Sequence, residues 1–162
     1  MNQGPDYLKA RRRQARVMRI VNVPMRRLLR LPFPTPLSRR LMLLSYKGRK
    51  TGRSYHQPVS YIADGDTLLS PGGGRWKLNL REAEPVQVRL RGKEVYARPE
   101  MIRDPAQVEV LLYKMIAANP RTASFIPFVR PGGHIDSSEL SAAIAHGFSL
   151  VRWHLDQTRL DS

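Results

Sequence analysis

The sequence of 162 residues contains no cysteine and no long uninterrupted apolar run. The absence of cysteine excludes disulfides and thiolate chemistry, and it is compatible with a reducing cytoplasm. The first apolar stretch, residues 17–31, is broken by four arginines, so it predicts neither a secretory signal nor a membrane span. With 41% hydrophobic residues, the chain can form one domain with one core. We therefore expect a cytoplasmic protein and leave association with a membrane surface open.

Acidic residues are scarce in the N-terminal third. Residues 1–53 hold fifteen Lys and Arg but a single acid, Asp6, whereas residues 54–162 hold thirteen basic and twelve acidic residues. Such asymmetry suggests a polyanionic partner, which would be nucleic acid, an anionic membrane surface or a highly charged cofactor. A solubilising arm without a specific partner is the alternative that charge alone leaves open.

The basic region divides into a helical part and a proline-rich part. Residues 6–23 carry a partial apolar stripe surrounded by arginines, and Pro24 can open a second short helix over residues 25–30. Residues 32–36 contain three prolines and are expected to be extended and stiff. We therefore assign residues 1–40 to a basic helical segment with a proline-rich tether, and residues 41–162 to the barrel domain.

The basic helix has two interpretations that the sequence leaves open. It lies on an anionic membrane surface, or it packs on its own barrel with its arginines facing water. No aromatic residue is interleaved among residues 11–30, which argues against base stacking and against a nucleic-acid partner. A homodimer is a further possibility for a small barrel.

From residue 41 onward the pattern changes to short strands separated by turns. Apolar and polar residues alternate on both sides of Gly92-Lys93, which predicts an antiparallel hairpin. Six strands with helices between them indicate an α+β, mostly β fold: a small, mainly antiparallel barrel with flanking helices. The predicted strands cover residues 41–46, 53–63, 67–70, 86–90, 95–102 and 148–155. Two helices are predicted, one capped by Asp104 and a short one capped by Ser137 or Ser138 that runs to His146.

No arrangement of side chains in the sequence predicts a catalytic dyad or a metal site. The four histidines lack the spacing of metal ligands, and no pair of carboxylates stands out. His56 and His154 fall on predicted strands, where we expect packed or surface roles. Catalytic residues are therefore not assigned from the sequence.

A cluster of cations occupies the turn between the first two predicted strands. Gly48 and Gly52 bound this turn, and Lys47, Arg49, Lys50 and Arg53 surround it. Successive N–H groups in a tight glycine-bounded turn form a concavity that binds anions, and the cations add charge. A purely structural hairpin turn would more often be Asn-Gly or Asp-Gly. The turn therefore favours an anion site.

Three consecutive glycines, Gly72 to Gly74, follow a predicted strand and precede a predicted helical turn. Because glycine has no side chain, the backbone there can approach an anion or a flat ring closely. No Gly-Lys-Ser/Thr sequence follows, so the glycines do not form a Walker loop. A plain flexible turn is the alternative.

Several motifs occur in a characteristic order over roughly residues 41–102. An apolar strand precedes Gly-Arg-Lys-Thr-Gly at 48–52, a strand with Pro58 and Tyr61 follows, and Gly65-Asp66 makes a turn. The glycine loop, Trp76, Asn79-Leu80 and Val86-Gln87-Val88 complete the series. This order resembles the deazaflavin-dependent nitroreductase family, split β-barrel oxidoreductases that use coenzyme F-420.

The resemblance implies a phosphate-bearing cofactor with an acidic oligoglutamate tail, gripped by the basic turn. It implies hydride transfer from the reduced ring to a quinone, a nitro compound or an activated alkene, with FMN as the alternative cofactor. The implied phosphate and tail contacts are Arg49, Lys50, Thr51 and Arg53. The residues implied to border the ring are Pro58, Ser60, Gly72, Gly73, Gly74 and Arg75, and those implied for the substrate pocket are Trp76, Thr122 and Phe125.

The sequence departs from the family pattern at two positions near the turn. Tyr55 stands where the family often has a second basic side chain, and Lys77 stands where it has a second aromatic residue. Arg75 or Lys77 could supply the missing cation. Two rivals to the enzyme therefore remain: a barrel that binds a cofactor or another ligand without turnover, and a protein that binds anionic surfaces through its basic segment.

Overall fold

Seven antiparallel strands form one curled sheet in the computed structural model, which describes residues 24–72 and 74–156. The predicted helix over residues 6–23 and the residue Gly73 lie outside the described residues. The strands follow one another across the sheet in the order β2-β1-β5-β6-β7-β4-β3, and β2 also contacts β4. Their bounds are β1 Leu41–Lys47, β2 Ser54–Ser60, β3 Ile62–Asp64, β4 Thr67–Pro71, β5 Val86–Leu90, β6 Lys93–Ile102 and β7 Leu150–Leu155.

The predicted split barrel with flanking helices is confirmed, with seven strands where the sequence suggested about six. The extra strand arises because Tyr61 divides the predicted run 53–63 into β2 and β3. The Tyr61 N–H donates to the Arg40 carbonyl at 3.0 Å, and its hydroxyl donates to the Ser38 carbonyl at 2.8 Å. These bonds hold Tyr61 against the segment before β1, so it does not continue the strand.

The concave face of the sheet encloses the main core. Alternate residues of each strand point inward, as the period of two requires. Trp153 is fully buried there, and its indole N–H donates to the Ser70 hydroxyl at 3.0 Å, so its one polar atom is satisfied. The inner core consists of Met42, Leu44, Val59, Tyr61, Leu68, Trp76, Leu80, Val88, Val95, Ala97, Val151 and Trp153.

Two helices cover part of the outer face and form a second core. Helix α2 spans Pro105–Ala118 and helix α3 spans Ser137–Ala145. Asp104 caps α2 as predicted, since its carboxylate accepts from the Gln107 N–H at 3.0 Å. The predicted cap of α3 by Ser137 or Ser138 is wrong, because the Asp136 carboxylate caps it by accepting from the N–H groups of Ser138 and Glu139. Beneath these helices lie Leu69, Ile102 and Leu150, whose side chains leave the sheet opposite the inner core. Residues 121–136, predicted to be irregular, contain a 3-10 helix, Pro120–Phe125, and an isolated bridge between Val129 and Ile135.

The segment before β1 packs on the barrel. Residues 24–29 are helical and form α1, close to the predicted short helix, and Leu29 is buried. The expected stiff extended tether over 32–36 is not continued at Pro36, which adopts α-helical dihedral angles and precedes a 3-10 helix, Leu37–Arg39. No helix among the described residues is long and apolar enough to cross a membrane.

Gly92 marks where this leading segment crosses the β5–β6 turn. A Cβ atom on Gly92 would lie 2.8 Å from the backbone nitrogen and carbonyl carbon of Phe33, which is closer than carbon contacts allow. Gly92 also has a positive φ of 83°, a conformation that glycine adopts without steric cost. The turn therefore needs glycine on both counts.

Candidate functional site

The basic bend, residues 48–53, closes the hairpin between β1 and β2. The two strands pair from Leu41 with Ser60 to Lys47 with Ser54. Across the bend the Gly48 N–H donates to the Arg53 carbonyl at 2.8 Å, and the Gly52 N–H donates to the Gly48 carbonyl at 2.9 Å. These bonds fix the bend as a compact turn with its side chains outside.

The bend is tied to the 3-10 helix that follows the glycine loop, Arg75–Asn79. The Arg49 N–H donates to the Asn79 side-chain oxygen at 3.0 Å, and the Arg49 guanidinium donates to the Leu78 carbonyl at 3.3 Å. Two pieces of the sequence motif that are about thirty residues apart along the chain are therefore brought side by side. The Asn79 side chain thereby connects the bend to this helix.

Several donors of the bend remain available for a ligand. Within the described residues, the N–H groups of Lys50 and Thr51 have no acceptor. The side chains of Lys50, Arg53 and Arg75 are exposed and form no ion pair with any described residue. Two free backbone donors beside unpaired cations are the donor set that a phosphate or carboxylate group requires.

Tyr55 occupies the floor of the bend. Its ring stacks on Tyr46 with centroids 5.6 Å apart, and its hydroxyl lies 3.4 Å from the Thr51 hydroxyl. Burial, followed by the neighbouring Tyr55, raises the pKa of Tyr46, so the Tyr46 phenol stays protonated near neutral pH. The position where the resemblance to the deazaflavin-dependent nitroreductases implies a second basic side chain is thus occupied by an aromatic ring.

The described glycines of the loop are needed by the protein itself. The Gly72 N–H donates to the Ser149 carbonyl at 2.8 Å, and a Cβ on Gly72 would lie 2.5 Å from that oxygen. A Cβ on Gly74 would meet the Trp76 indole at 2.4 Å. The close approach of Ser149 and Trp76 therefore accounts for both glycines, and their contact with a ring stays a prediction.

Lys77 is bound to the start of β7 and is not free to serve as the missing cation. Its ammonium group donates to the Gly147 carbonyl and, at 3.2 Å, to the Ser149 hydroxyl. Burial, followed by the charge of Arg103, lowers the pKa of Lys77. Of the two candidates named from the sequence, Arg75 is the one that remains available.

The residues predicted for the ring and the substrate lie in different parts of the fold. Pro58 and Ser60 are half-buried on the outer face of β2, an edge strand. Trp76 is in the inner core, where its ring stacks on Trp153 at 6.0 Å. Thr122 is buried in the 3-10 helix beside α2, whereas Phe125 is 56% exposed. The structure therefore does not bring Trp76 together with Thr122 and Phe125, and their substrate role stays a prediction.

A cleft of about 320 Å³ on the outer face contains none of the predicted site residues. It lies between the end of α1 and strands β1, β2 and β5. The alternation of β1 and β5 was the signal that could have revealed it, because it places polar residues opposite the buried Leu44 and Val88. The cleft is lined by Arg30, Leu43, Ser45, His56, Gln87, Arg89 and Glu94.

The imidazole of His56 lies in this cleft, and its pKa is shifted from the ordinary value. Its Nδ1 is hydrogen-bonded to the Ser45 hydroxyl at 2.9 Å. Burial, followed by the charges of Arg30 and Arg26, lowers the pKa of His56, so its ring is neutral near pH 7. Across residues 24–72 and 74–156, no three His, Cys, Asp or Glu side chains cluster as a metal site would need.

Comparison with known proteins gives likenesses to solved structures only. No protein-family model matches the sequence, and no curated protein is significantly similar to it. An F420-H2 dependent reductase (FDR-A) is 12% identical with a TM-score of 0.47, and the match covers 71% of this chain and 94% of that one. A putative pyridoxamine 5'-phosphate oxidase from Listeria innocua is 11% identical with a TM-score of 0.46, covering 73% and 85%. A protein of unknown function from Agrobacterium tumefaciens strain C58 is 16% identical with a TM-score of 0.48, covering 82% of this chain and 54% of that protein.

Proposed function

We propose that the protein is an oxidoreductase that binds a deazaflavin coenzyme of the F-420 type beside the basic bend and reduces a small planar acceptor, such as a quinone or a nitro compound. The observation that carries this proposal is the contact between the bend and the 3-10 helix after the glycine loop, made by Arg49 with Asn79 and Leu78. It joins the two segments that the resemblance assigns to one cofactor.

The residues of the bend would hold the anionic part of the cofactor. Lys50 supplies an unpaired ammonium group, and the free N–H groups of Lys50 and Thr51 lie next to it in the chain. Arg53 and Arg75 would attract the acidic tail. The bound cofactor would supply the hydride, while the protein supplies position and an electrostatic environment.

The proposal is tested by titrating the purified protein with reduced deazaflavin coenzyme and, separately, with FMN, while recording absorbance spectra. Saturable binding of the deazaflavin, followed by its oxidation when menadione is added, is the expected result. Binding without oxidation would identify a non-catalytic carrier, and no spectral change with either chromophore would sink the proposal.

A second proposal concerns the basic surface of the leading residues. Residues 24–53 contain nine Lys and Arg and no acid, which suits contact with an anionic membrane surface. Co-sedimentation with vesicles of anionic lipid should be strong at low ionic strength and should fall steeply as salt is added. Equal binding to neutral vesicles would contradict this second proposal.

A further inference from the structure

The cleft on the outer face is built from two cations and several polar side chains over an apolar floor. Leu43, only 3% exposed, forms the floor, and Arg30 and Arg89 lie on its rim. Ser45, His56 and Gln87 on strands β1, β2 and β5 and Glu94 on β6 complete the lining. None of these residues belongs to the proposed cofactor site, although the cleft shares strands β1 and β2 with the basic bend.

Arg89 is held in place by two partners. Its guanidinium donates to the Arg30 carbonyl at 3.0 Å and to the Glu94 carboxylate at 2.5 Å. Its side chain is only 23% exposed, so the planar group is fixed in the cleft. Such preorganisation lowers the entropy that a bound ligand would cost.

The remaining polar groups of the cleft are free and can donate hydrogen bonds. When the Ser45 hydroxyl donates to His56 Nδ1, the neutral ring carries its proton on Nε2. Within the described residues neither this Nε2 nor the Gln87 amide has a partner, and the Arg30 guanidinium forms no ion pair. The only carboxylate of the lining, Glu94, is already bound to Arg89.

Positive charge is therefore in excess around the cleft. Arg26 lies close enough for its charge to act on His56 together with that of Arg30. The Arg26 Nε is buried and has no acceptor among the described residues. Against Arg26, Arg30 and Arg89 stands the single acid Glu94, so the cleft lacks about two negative charges at neutral pH.

We propose that this cleft binds the carboxylate or phosphate group of a small molecule, with Arg30 and Arg89 as ion-pair partners and His56 and Gln87 as hydrogen-bond donors. Arginine suits both groups because its fork of N–H donors matches their oxygens. A volume of about 320 Å³ lies at the small end of ligand pockets, which suits a compact anion.

The test follows the imidazole signals of the four histidines by NMR while sodium phosphate or sodium succinate is added at constant ionic strength. No flavin is present, so the outcome is independent of the proposed cofactor. We expect a saturable shift at His56 and not at His154, which pairs with Glu100 at 2.8 Å on the same face. The pKa of His56 should rise on binding, because an anion stabilises the imidazolium against Arg26 and Arg30. Tighter binding of phosphate would assign a phosphate ligand, and tighter binding of succinate a carboxylate.

Two matched variants separate the site from general electrostatics. Arg30→Gln should weaken binding of the tighter anion about tenfold or more, since it removes one charged hydrogen-bond donor but keeps the carbonyl that holds Arg89. Arg27→Gln removes an exposed cation of α1, three residues before Arg30, that does not line the cleft, and it should change affinity less than about twofold. A linear, unsaturable shift at His56, or equal weakening by both variants, would overturn the site.

Discussion

The outer face of the sheet is buried under helices at one end and forms an open cleft at the other. At one end Leu69, Ile102 and Leu150 are buried under α2 and α3. At the other end Ser45 and His56 line an open cleft beneath α1. Both sets leave the strands on the same side, through the same alternation. The same strand alternation is therefore present at both ends of the sheet. The helix packed above each end determines whether the outer face there becomes core or cleft.

Outside the cleft the outer face carries polar side chains that are satisfied by one another. His154 pairs with Glu100 at 2.8 Å, Arg152 with Asp64 at 3.4 Å, and Arg98 with Asp156 at 3.6 Å. Each of these three basic side chains has an acid within reach. Among the described residues of the outer face, arginines outnumber acids toward α1, which is why we place ligand binding at that end and stability at the other.

The largest effect is expected at the covered end. Leu112 on α2 is fully buried. Leu112→Ala should lower the free energy of unfolding by about 2–5 kcal/mol, because the smaller side chain leaves a cavity. Val110 on the same helix is 69% exposed, so Val110→Ala should cost less than about 0.5 kcal/mol. Urea unfolding measures both, and equal costs would mean that α2 is not packed as described.

Lys50, a cation of the bend without an ion-pair partner among the described residues, should govern cofactor affinity. Lys50→Ala should weaken binding of the reduced deazaflavin by about 1.5–3 kcal/mol, because it removes a charge-assisted hydrogen bond. Lys93→Ala, an exposed cation at the start of β6, is the control and should leave the affinity unaltered. Titration followed by absorbance gives both values, and an unchanged affinity for Lys50→Ala would count against the phosphate assignment.

The contact between the bend and the 3-10 helix should have a smaller effect. Asn79→Ala removes the acceptor of the Arg49 N–H and should cost about 1 kcal/mol of stability. Asn79→Asp keeps an acceptor oxygen at that position and should retain most of this stability. Thermal unfolding compares the two variants, and the contact is without consequence if both melt like the parent protein.

The smallest effects are pH-dependent and differ between the two ends. Burial and the charges of Arg30 and Arg26 lower the pKa of His56 below its ordinary 6.5. The hydrogen bond from Lys114, opposed by burial and assisted by the charges of Lys114 and Arg152, lowers the pKa of Asp64 below its ordinary 3.8. In both cases the pKa is higher in the unfolded chain, which therefore takes up the proton at a higher pH than the folded protein does. The free energy of unfolding falls as the pH falls from the ordinary pKa through the lowered one.

Denaturation at a series of pH values separates these windows. His56→Gln should remove the loss that begins below pH 6.5, and Asp64→Asn should remove the loss that begins below pH 3.8. Asp64→Asn should also lower stability at neutral pH, since the attraction to Lys114 and Arg152 is gone. Parallel curves for the parent and both variants would contradict these assignments.

Local patterns were enough to predict most of the elements. The β5–β6 hairpin and the cap of α2 depend on neighbours within a few residues, so alternation and Asp104 predict them. The division at Tyr61 was not predictable, because it depends on Ser38 and Arg40, about twenty residues earlier. Likewise Gly72 indicated a ligand loop, whereas its close neighbour is Ser149, far along the chain.

The candidate site shows the same division. The cations of the bend are consecutive in the sequence, so the sequence alone predicts them as a group. The cleft needs β1 and β5 to be neighbours, with Ser45 opposite Gln87, and this pairing joins residues about forty positions apart. Its arginines also come from separate segments, α1 and β5, which composition and spacing do not connect.

Gly92 limits which side chains the β5–β6 turn can accept. Phe33 rests directly on it, and only two residues separate Phe33 from Arg30, whose carbonyl holds Arg89. A single methyl group added at position 92 would push the segment around Phe33 away from the β5–β6 turn. The nearby Arg30, which lines the cleft, would then be held less firmly. Affinity for a small anion could thus be lost by a substitution that touches neither the ligand nor any charge.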